Sequence, residues 1–242
     1  MTGTSRFLLQ AADIPAATLL SLAQDAGARA IVPVGAGTPQ AYVLPGVAAD
    51  PRLVDAAHGA GCDAAFVPAT RRLRDVKLVV MDMDSTLITI ECIDEIADLQ
   101  GIKAEVAAVT ASAMRGEIEF AESLRRRVAL LAGLPVGALE RVYDERLRIS
   151  PGAERMIAGF HAVGARVGLV SGGFTFFTER LKRRLGLDFA VANTLGVRDG
   201  ILSGAVDGAI VNAEVKARAL RERKAAFAGT GGLAVALGDG AN

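Results

Sequence analysis

The sequence predicts an α/β protein: a parallel sheet covered on both faces, interrupted by a helical insertion and preceded by a small α+β region. Three observations predict it. A continuous apolar run at Val76–Met81 carries a single Lys, as a strand buried on both faces would. From Pro151 onward, helical and strand-like stretches alternate, which is the order of a parallel sheet with helices on both sides. Before residue 74, short apolar runs and helical stretches follow the order βαββαβ, which suits a split-βαβ, ferredoxin-like region.

In the first 73 residues, 6–9 reads as a strand, 15–26 as a helix with Pro15 near its start, and 29–34 as a strand. A further strand spans 40–44, a helix 51–60 follows an Asp50 cap, and 63–67 is the last strand. The run Arg71-Arg72-Leu73-Arg74, followed at once by Asp75, reads as a solvated linker. Residues 91–147 are almost wholly helix-like, with punctuation at Gly101, Gly116 and Gly133-Leu134-Pro135, and read as an insertion over one end of the sheet. Beyond them come a helix 151–163, a strand 166–170, a helix 174–185 and a short strand 189–192. Asp199-Gly200 between 195–197 and 201–202 is a hairpin signal. A charged helix 213–227 leads to the strand Leu233–Leu237. The implied divisions are 1–73, a core made of 74–90 and 148–242, and the helical insertion 91–147.

Of the 242 residues, 51% are hydrophobic and 22% charged, the balance of a globular protein. Lys and Arg number 27 and so do Asp and Glu, so no long-range field favours nucleic acid or an anionic membrane. Cys62 and Cys92 form no C-x-x-C pair and read as buried thiols of a reducing compartment. The N-terminal apolar stretch contains Asp13 and Pro15 and follows no basic leader, and no apolar run approaches the ~20 residues of a membrane helix. A cytoplasmic protein is the expectation. His58 and His161, the only histidines, sit on expected helices without a Ser or Cys partner in a motif, which argues against a hydrolase triad or a histidine-based zinc site. No G-x-x-x-x-G-K-[ST] run is present, and the turn at 35–37 lacks the spacing of a dinucleotide fingerprint.

Ligands of open parallel sheets bind beyond the carboxyl ends of the strands. The first such end gives Asp82-Met83-Asp84-Ser85-Thr86. Two carboxylates two positions apart can point into one crevice, one as a nucleophile and the other as a proton donor and acceptor. The bland alternative is an acidic strand end that begins a turn. The second end, Val170-Ser171-Gly172-Gly173, offers a hydroxyl and Gly amides before a helix, a phosphate-binding corner or simply a Gly-rich turn. Lys216, in the first turn of a helix beside Glu214, reads alone as a solvated residue and gains interest from the need for a cation near phosphate. The last end, Gly238-Asp239-Gly240-Ala241-Asn242, is an acidic loop suited to a hard cation such as magnesium, which takes oxygen ligands and keeps several waters.

Together these segments, each at an element boundary and in this order, resemble the haloacid dehalogenase superfamily of phosphohydrolases over roughly residues 75–242, and within it the phosphoserine phosphatases most closely. The resemblance implies a Rossmann-like core with a helical cap, and a Mg2+-dependent hydrolysis of O-phospho-L-serine that closes serine biosynthesis. It implies Asp82 as the nucleophile that becomes an aspartyl phosphate and Asp84 as general acid, then base. Ser85, Thr86, Ser171, Gly172 and Lys216 would hold phosphate, Thr86 also matching the position that holds this loop in shape, and the metal would sit on Asp82, Asp84 through its backbone carbonyl, and Asp239. The stretches Glu91-Cys92-Ile93-Asp94-Glu95-Ile96 and Phe120-Ala121-Glu122-Ser123-Leu124-Arg125-Arg126-Arg127 resemble the family's cap. There Glu91 matches the residue facing the substrate ammonium and Arg127 the one holding its carboxylate, with Met114 and Phe120 as apolar closing residues and Asn242 as a further substrate contact.

Other readings stay open: another small phosphomonoester, transfer to an acceptor alcohol, or a non-catalytic amino-acid-binding regulatory protein. The N-terminal βαββαβ pattern looks like ACT-type modules, for which dimerisation or a structural role is favoured over serine sensing. The family's final motif has a second aspartate directly after the asparagine, and the sequence stops at Asn242. The expectation is therefore that the encoded protein continues, and that these 242 residues alone bind magnesium weakly and are unstable or inactive.

Overall fold

Alternation along Ser5–Ala11 (β1) turns Phe7 and Leu9 to one face and leaves Arg6, Leu8 and Gln10 on the other. The computed structural model that carries this strand describes residues 5–35, 39–228 and 231–239. The chain divides into two compact units, Met1–Arg72 and Leu73–Asn242. In the first, β1 is followed by α1 (Ala16–Asp25), β2 (Val32–Pro33), β3 (Gln40–Val47), α2 (Pro51–Gly59) and β4 (Asp63–Pro68). The antiparallel sheet has the order β2-β3-β1-β4, the arrangement of a split βαβ unit. Its core packs Phe7 and Leu9 with Leu44 and Val47 against Leu19 and Leu22 of α1 and Ala57 of α2. Phe7 also stacks on Phe66 with ring centroids 4.5 Å apart. The Asp50 side chain accepts from the Arg52 amide at 3.0 Å and Pro51 takes the first helical position, so α2 starts where its sequence says it should.

One strand is shorter than the sequence suggests. The expected strand 29–34 pairs only at Val32–Pro33, against Val43 and Tyr42. Beyond Pro33 the Val34 amide still donates to the Ala41 carbonyl at 2.8 Å, and Val32 and Pro33 are both exposed at the sheet edge, where a proline is tolerated.

The second unit begins with β5 (Val76–Met81), in which Leu78, Val79, Val80 and Met81 are all buried. Four helices follow: α3 (Cys92–Gln100), α4 (Lys103–Met114), α5 (Phe120–Ala129) and α6 (Gly137–Arg141). Then come α7 (Ala153–Ala162), β6 (Arg166–Phe174), α8 (Thr175–Leu185), β7 (Phe189–Arg198), β8 (Ile201–Asp207), α9 (Ala213–Arg223) and β9 (Leu233–Leu237). The sheet order is β8-β7-β6-β5-β9, parallel except for β8, which returns beside β7. Asp199 and Gly200 have φ of 50° and 76°, so the Asp-Gly pair closes the hairpin with both turn residues at positive φ.

The helical insertion leaves and rejoins the sheet at one stitched point. Ile88 bridges Ile149, the Thr89 amide donates to the Arg148 carbonyl at 3.0 Å, and the Ser150 hydroxyl donates to the Thr86 carbonyl at 2.7 Å. A second tie runs to the hairpin, where the Gly133 amide meets the Leu202 carbonyl at 2.9 Å and the Leu202 amide meets the Leu134 carbonyl at 2.8 Å. These bonds fix the insertion over the carboxyl ends of β5 and β6, where the polar strand ends lie.

Candidate active site

At the end of β5 the Asp82 amide still pairs with the Leu237 carbonyl of β9, 3.0 Å away, so the strand holds its first carboxylate rigidly. The chain then winds through Met83–Leu87 as a wide turn broken by Asp84, which is extended, and by Ser85 at φ 52°. A non-glycine residue at positive φ is uncommon, and here it is held by two bonds. The Ser85 amide donates to the Ile90 carbonyl at 3.2 Å and its hydroxyl to Glu91 Oε1 at 2.7 Å. This kink turns Asp84 back toward the sheet, beside Asp82.

One cavity of about 210 Å³ gathers Asp82, Asp84, Glu91, Phe120, Arg127, Ser171, Gly172, Lys216 and Asp239. Asp82 accepts from the Met83 amide at 2.7 Å through Oδ1, and Oδ2 is ion-paired to Lys216 Nζ. Asp84 accepts from the Cys92 amide at 3.1 Å. Its carboxyl is pushed up to about 7, first by burial and then by the charges of Glu91 and Asp82, so it can give and take a proton near neutrality. Burial likewise raises Glu91, against the Ser85 hydroxyl bond that lowers it. Burial lowers Arg127, opposed by Asp94, Glu91 and Asp84, and its Nε is buried with no hydrogen-bond partner among the described residues. Cys92 is buried, and burial with the neighbouring Asp84 carboxylate raises its thiol well above the ordinary range, which keeps it protonated.

The Gly-rich corner at the end of β6 is extended rather than a loose turn. Although the sequence suggests a strand only over 166–170, the strand runs to Phe174: pairing with β7 is interrupted by a register shift after Val170 and resumes at Phe174, opposite Asn193. Ser171 is buried and its hydroxyl oxygen accepts from the Gly173 amide at 2.9 Å. Gly173 admits no side chain: a Cβ there would stand 2.6 Å from Met83 Cε and 2.7 Å from Asp84 Oδ2.

Several expected residues stand elsewhere. Ser85 and Thr86 do not line the cavity; the Ser85 hydroxyl is committed to Glu91, and Thr86 Oγ1 bonds Asp239 Oδ1 at 3.2 Å. Both side chains brace the loop, which for Thr86 is the place its motif match implies. Met114 is the last residue of α4, 84% exposed, and does not line the cavity with Phe120. Asn242 lies outside the described residues.

Two asparagines carry roles that the sequence reading missed. Asn193, buried in β7, donates to the Gly172 carbonyl at 2.7 Å and accepts from the Val211 amide at 2.8 Å, tying the Gly-rich corner to the segment before α9. Its only signal is an Asn inside a strand, a position that residue avoids. Asn212 caps α9 and lines the cavity, a role suggested only by its place before an expected helix.

The haloacid dehalogenase-like hydrolase model matches residues 79–242. A phosphoserine phosphatase of Polaromonas sp. is 51% identical over 176 residues, covering 71% of this chain and 75% of that one. The chain belongs to the haloacid dehalogenase-like hydrolases, among the phosphoserine phosphatases. The crystal structure of a probable phosphoserine phosphatase from Vibrio cholerae, unliganded, superposes with a TM-score of 0.82 at 36% identity, over 98% of this chain and 73% of that one. A substrate-bound phosphoserine phosphatase complex gives 0.62 at 39% identity, over 68% and 78%. The chain spans about half the length of several other phosphoserine phosphatases it matches. In this hydrolase family chain, the matched region contains every cavity residue named above, whereas residues 1–78 lie outside the family model.

Proposed function

We propose that this chain hydrolyses O-phospho-L-serine to L-serine and phosphate in the cytoplasm, as the last step of serine biosynthesis. The observation that carries the reading is one cavity holding two differently disposed carboxylates, Asp82 paired with Lys216 and Asp84 poised near neutrality. An Asp82 carboxylate oxygen attacks phosphorus and the bond from phosphorus to the serine oxygen breaks. Asp84 gives that oxygen its proton. Water then attacks the aspartyl phosphate, Asp84 takes a proton from it, and the bond from phosphorus to Asp82 breaks. Ser171, the Gly172 backbone and Lys216 hold the phosphoryl oxygens; Ser85 and Thr86 support that corner through Glu91 and Asp239.

The donor set suits a hard cation. Among the described residues no three His, Cys, Asp or Glu side chains converge as a metal site. Yet the cavity carries the acids Asp82, Asp84, Glu91 and Asp239 against the cations Lys216 and Arg127, and two carboxylates with a backbone carbonyl and water satisfy Mg2+. Mg2+ on Asp82, the Asp84 carbonyl and Asp239 would neutralise charge on the phosphoryl group.

Arg127 and Glu91 supply the selectivity. The Arg127 guanidinium, whose Nε has no partner among the described residues, suits a carboxylate, and Glu91 suits an ammonium. Phosphate release from O-phospho-L-serine, with and without Mg2+, is the direct test. Arg127→Ala should raise KM for phosphoserine about 10–100-fold, the loss of a charged bidentate contact, and leave an aryl phosphate without amino or carboxyl groups nearly unaffected. Equal loss on both substrates would favour another phosphomonoester or an acceptor alcohol. No release from either, by chain or Mg2+ alike, would favour the regulatory binding protein.

Gly173→Ala should lower kcat about 10²-fold while the chain still folds, since the added methyl displaces the Asp84 carboxylate by a fraction of its bonding distance. Steady-state kinetics beside a circular dichroism spectrum would check it.

We read residues 74–90 and 148–242 as the phosphatase core and 91–147 as its cap. The βαββαβ order of residues 1–73 supports an ACT-like module, and we assign it homodimer formation, which sedimentation with and without that region would test. Two buried, unbridged cysteines support the cytoplasmic assignment, and among the described residues no helix is long and apolar enough to cross a membrane.

A further inference from the structure

The Lys216 amide makes the first intrahelical bond of α9, to the Asn212 carbonyl 2.9 Å away. A cation in a first turn is opposed by the positive end of the helix dipole, so this end needs other restraints to stay wound. Asn212 provides two of them. Its backbone carbonyl holds Lys216, and its side-chain Oδ1 accepts from the Val215 amide at 3.0 Å. The residue before it is fixed as well, because the Val211 amide donates to Asn193 Oδ1. Asn212 also faces the reaction: it lines the cavity with Lys216, whose ammonium is paired to Asp82.

Ser, Asp and Asn cap helices about equally well. They differ in charge. Asp at 212 would bring one more carboxylate to a wall that already has Asp82, Asp84, Glu91 and Asp239 around it. An anionic substrate would meet that charge directly.

We propose that Asn212 is a positioning residue of the phosphoryl site, a neutral cap that holds the turn aiming Lys216 at Asp82 and keeps negative charge off the wall beside it. The inference rests on the phosphatase reading and adds a residue to it.

The test compares the whole chain with Asn212→Ala, Asn212→Ser and Asn212→Asp in two readouts. One is kcat and KM for O-phospho-L-serine; the other is the Kd of inorganic phosphate by calorimetry, with Mg2+ present in both. Asn212→Ala should lose about fivefold in kcat and in phosphate affinity, the fold-change that loss of one cap corresponds to. Asn212→Ser should return both to within about twofold of the original. Asn212→Asp should keep the melting temperature but weaken phosphate binding about tenfold, through repulsion in a partly buried site. Asp50→Ala removes the cap of α2 in the other unit and should lower thermal stability without moving either readout.

Unchanged kcat and Kd in Asn212→Ala would overturn the proposal. So would an Asn212→Ser no better than Ala, an Asn212→Asp that binds phosphate as tightly as Asn, or a chain that binds no phosphate at all. Phosphate affinities in the expected order without turnover of phosphoserine would instead sink the substrate assignment and leave this inference standing.

Discussion

Asp82→Asn should lower phosphate release by about four orders of magnitude or more, because an amide oxygen cannot form the covalent intermediate and no other group in the cavity is placed to replace it. Mass spectrometry of the acid-quenched chain should find a transient phosphoryl adduct on the original and none on the variant. A retained adduct would move the nucleophile to another residue. The same substitution has a second, physical consequence. Asp82 and Lys216 have side chains only 12% and 15% exposed, so their charges are partners in a largely dry site. Asn keeps the acceptor for the Met83 amide but leaves the ammonium without a counterion. That should destabilise the metal-free chain by roughly 3 kcal/mol.

A double variant separates the two effects. Lys216→Met combined with Asp82→Asn removes the stranded charge and should recover most of the lost stability, while activity stays abolished. Thermal melts of the two single variants and the double variant measure the coupling. If the double variant is no more stable than Asp82→Asn, the pair contributes nothing as an ion pair and Lys216 is held in place by its helix alone.

Asp82 and its strand were legible because a strand buried on both faces must be written in apolar residues, so the change at Met81 to Asp82 is abrupt. The strand β9 and the Asp-Gly hairpin were legible for the same reason: composition changes sharply where burial or positive φ changes. Elements whose extent depends on pairing were not. Gly172 and Gly173 read as a turn, yet they form an irregular stretch within β6, after which Phe174 pairs opposite Asn193, whose side chain bonds the Gly172 carbonyl. In the other unit, strand 29–34 shrinks to Val32–Pro33, an exposed edge strand whose extent no burial pattern marks. Within the site, carboxylates and lysine announce themselves by type, whereas the neutral residues that hold them do not. Ser85 stands out in the sequence by its place in the motif, but nothing there says that its hydroxyl bonds Glu91. Met114 shows the converse limit: an apolar residue in a helical stretch says nothing of which way it faces, and this one is turned to solvent.

Asp84→Asn should lower turnover about 10²–10⁴-fold, the usual contribution of a general acid and base, and should change the pH dependence of stability in the opposite sense to most carboxyl losses. Asp84 is raised from an ordinary 3.8 to about 7, by burial first and by Glu91 and Asp82 after it. A folded state that holds its proton more tightly than the unfolded chain binds more protons between those values. The stability it contributes is therefore complete below pH ~4 and is lost as pH rises through about 7, by roughly 4 kcal/mol at most. Asparagine carries no charge at any of these pH values and accepts the Cys92 amide bond equally well. The metal-free variant should therefore melt at the same temperature as the original near pH 4 and at a distinctly higher one near pH 8. Glu91, raised in the same direction by burial, remains in both chains, and in the variant it is free of repulsion from Asp84, which adds to the difference at pH 8. Added Mg2+ should narrow the gap at pH 8, because a cation beside Asp84 relieves the charge that burial penalises. For activity the same titration cuts both ways: above about 7 the serine oxygen lacks its proton donor, and below it the attacking water lacks its base. The rate of phosphoenzyme formation should fall on the alkaline side and its hydrolysis on the acid side, which single-turnover measurements of the two steps would resolve. Variant and original chains that melt together at pH 8 would mean that Asp84 is not strained by its burial. Its place beside Asp82 would then have to be explained by the metal alone.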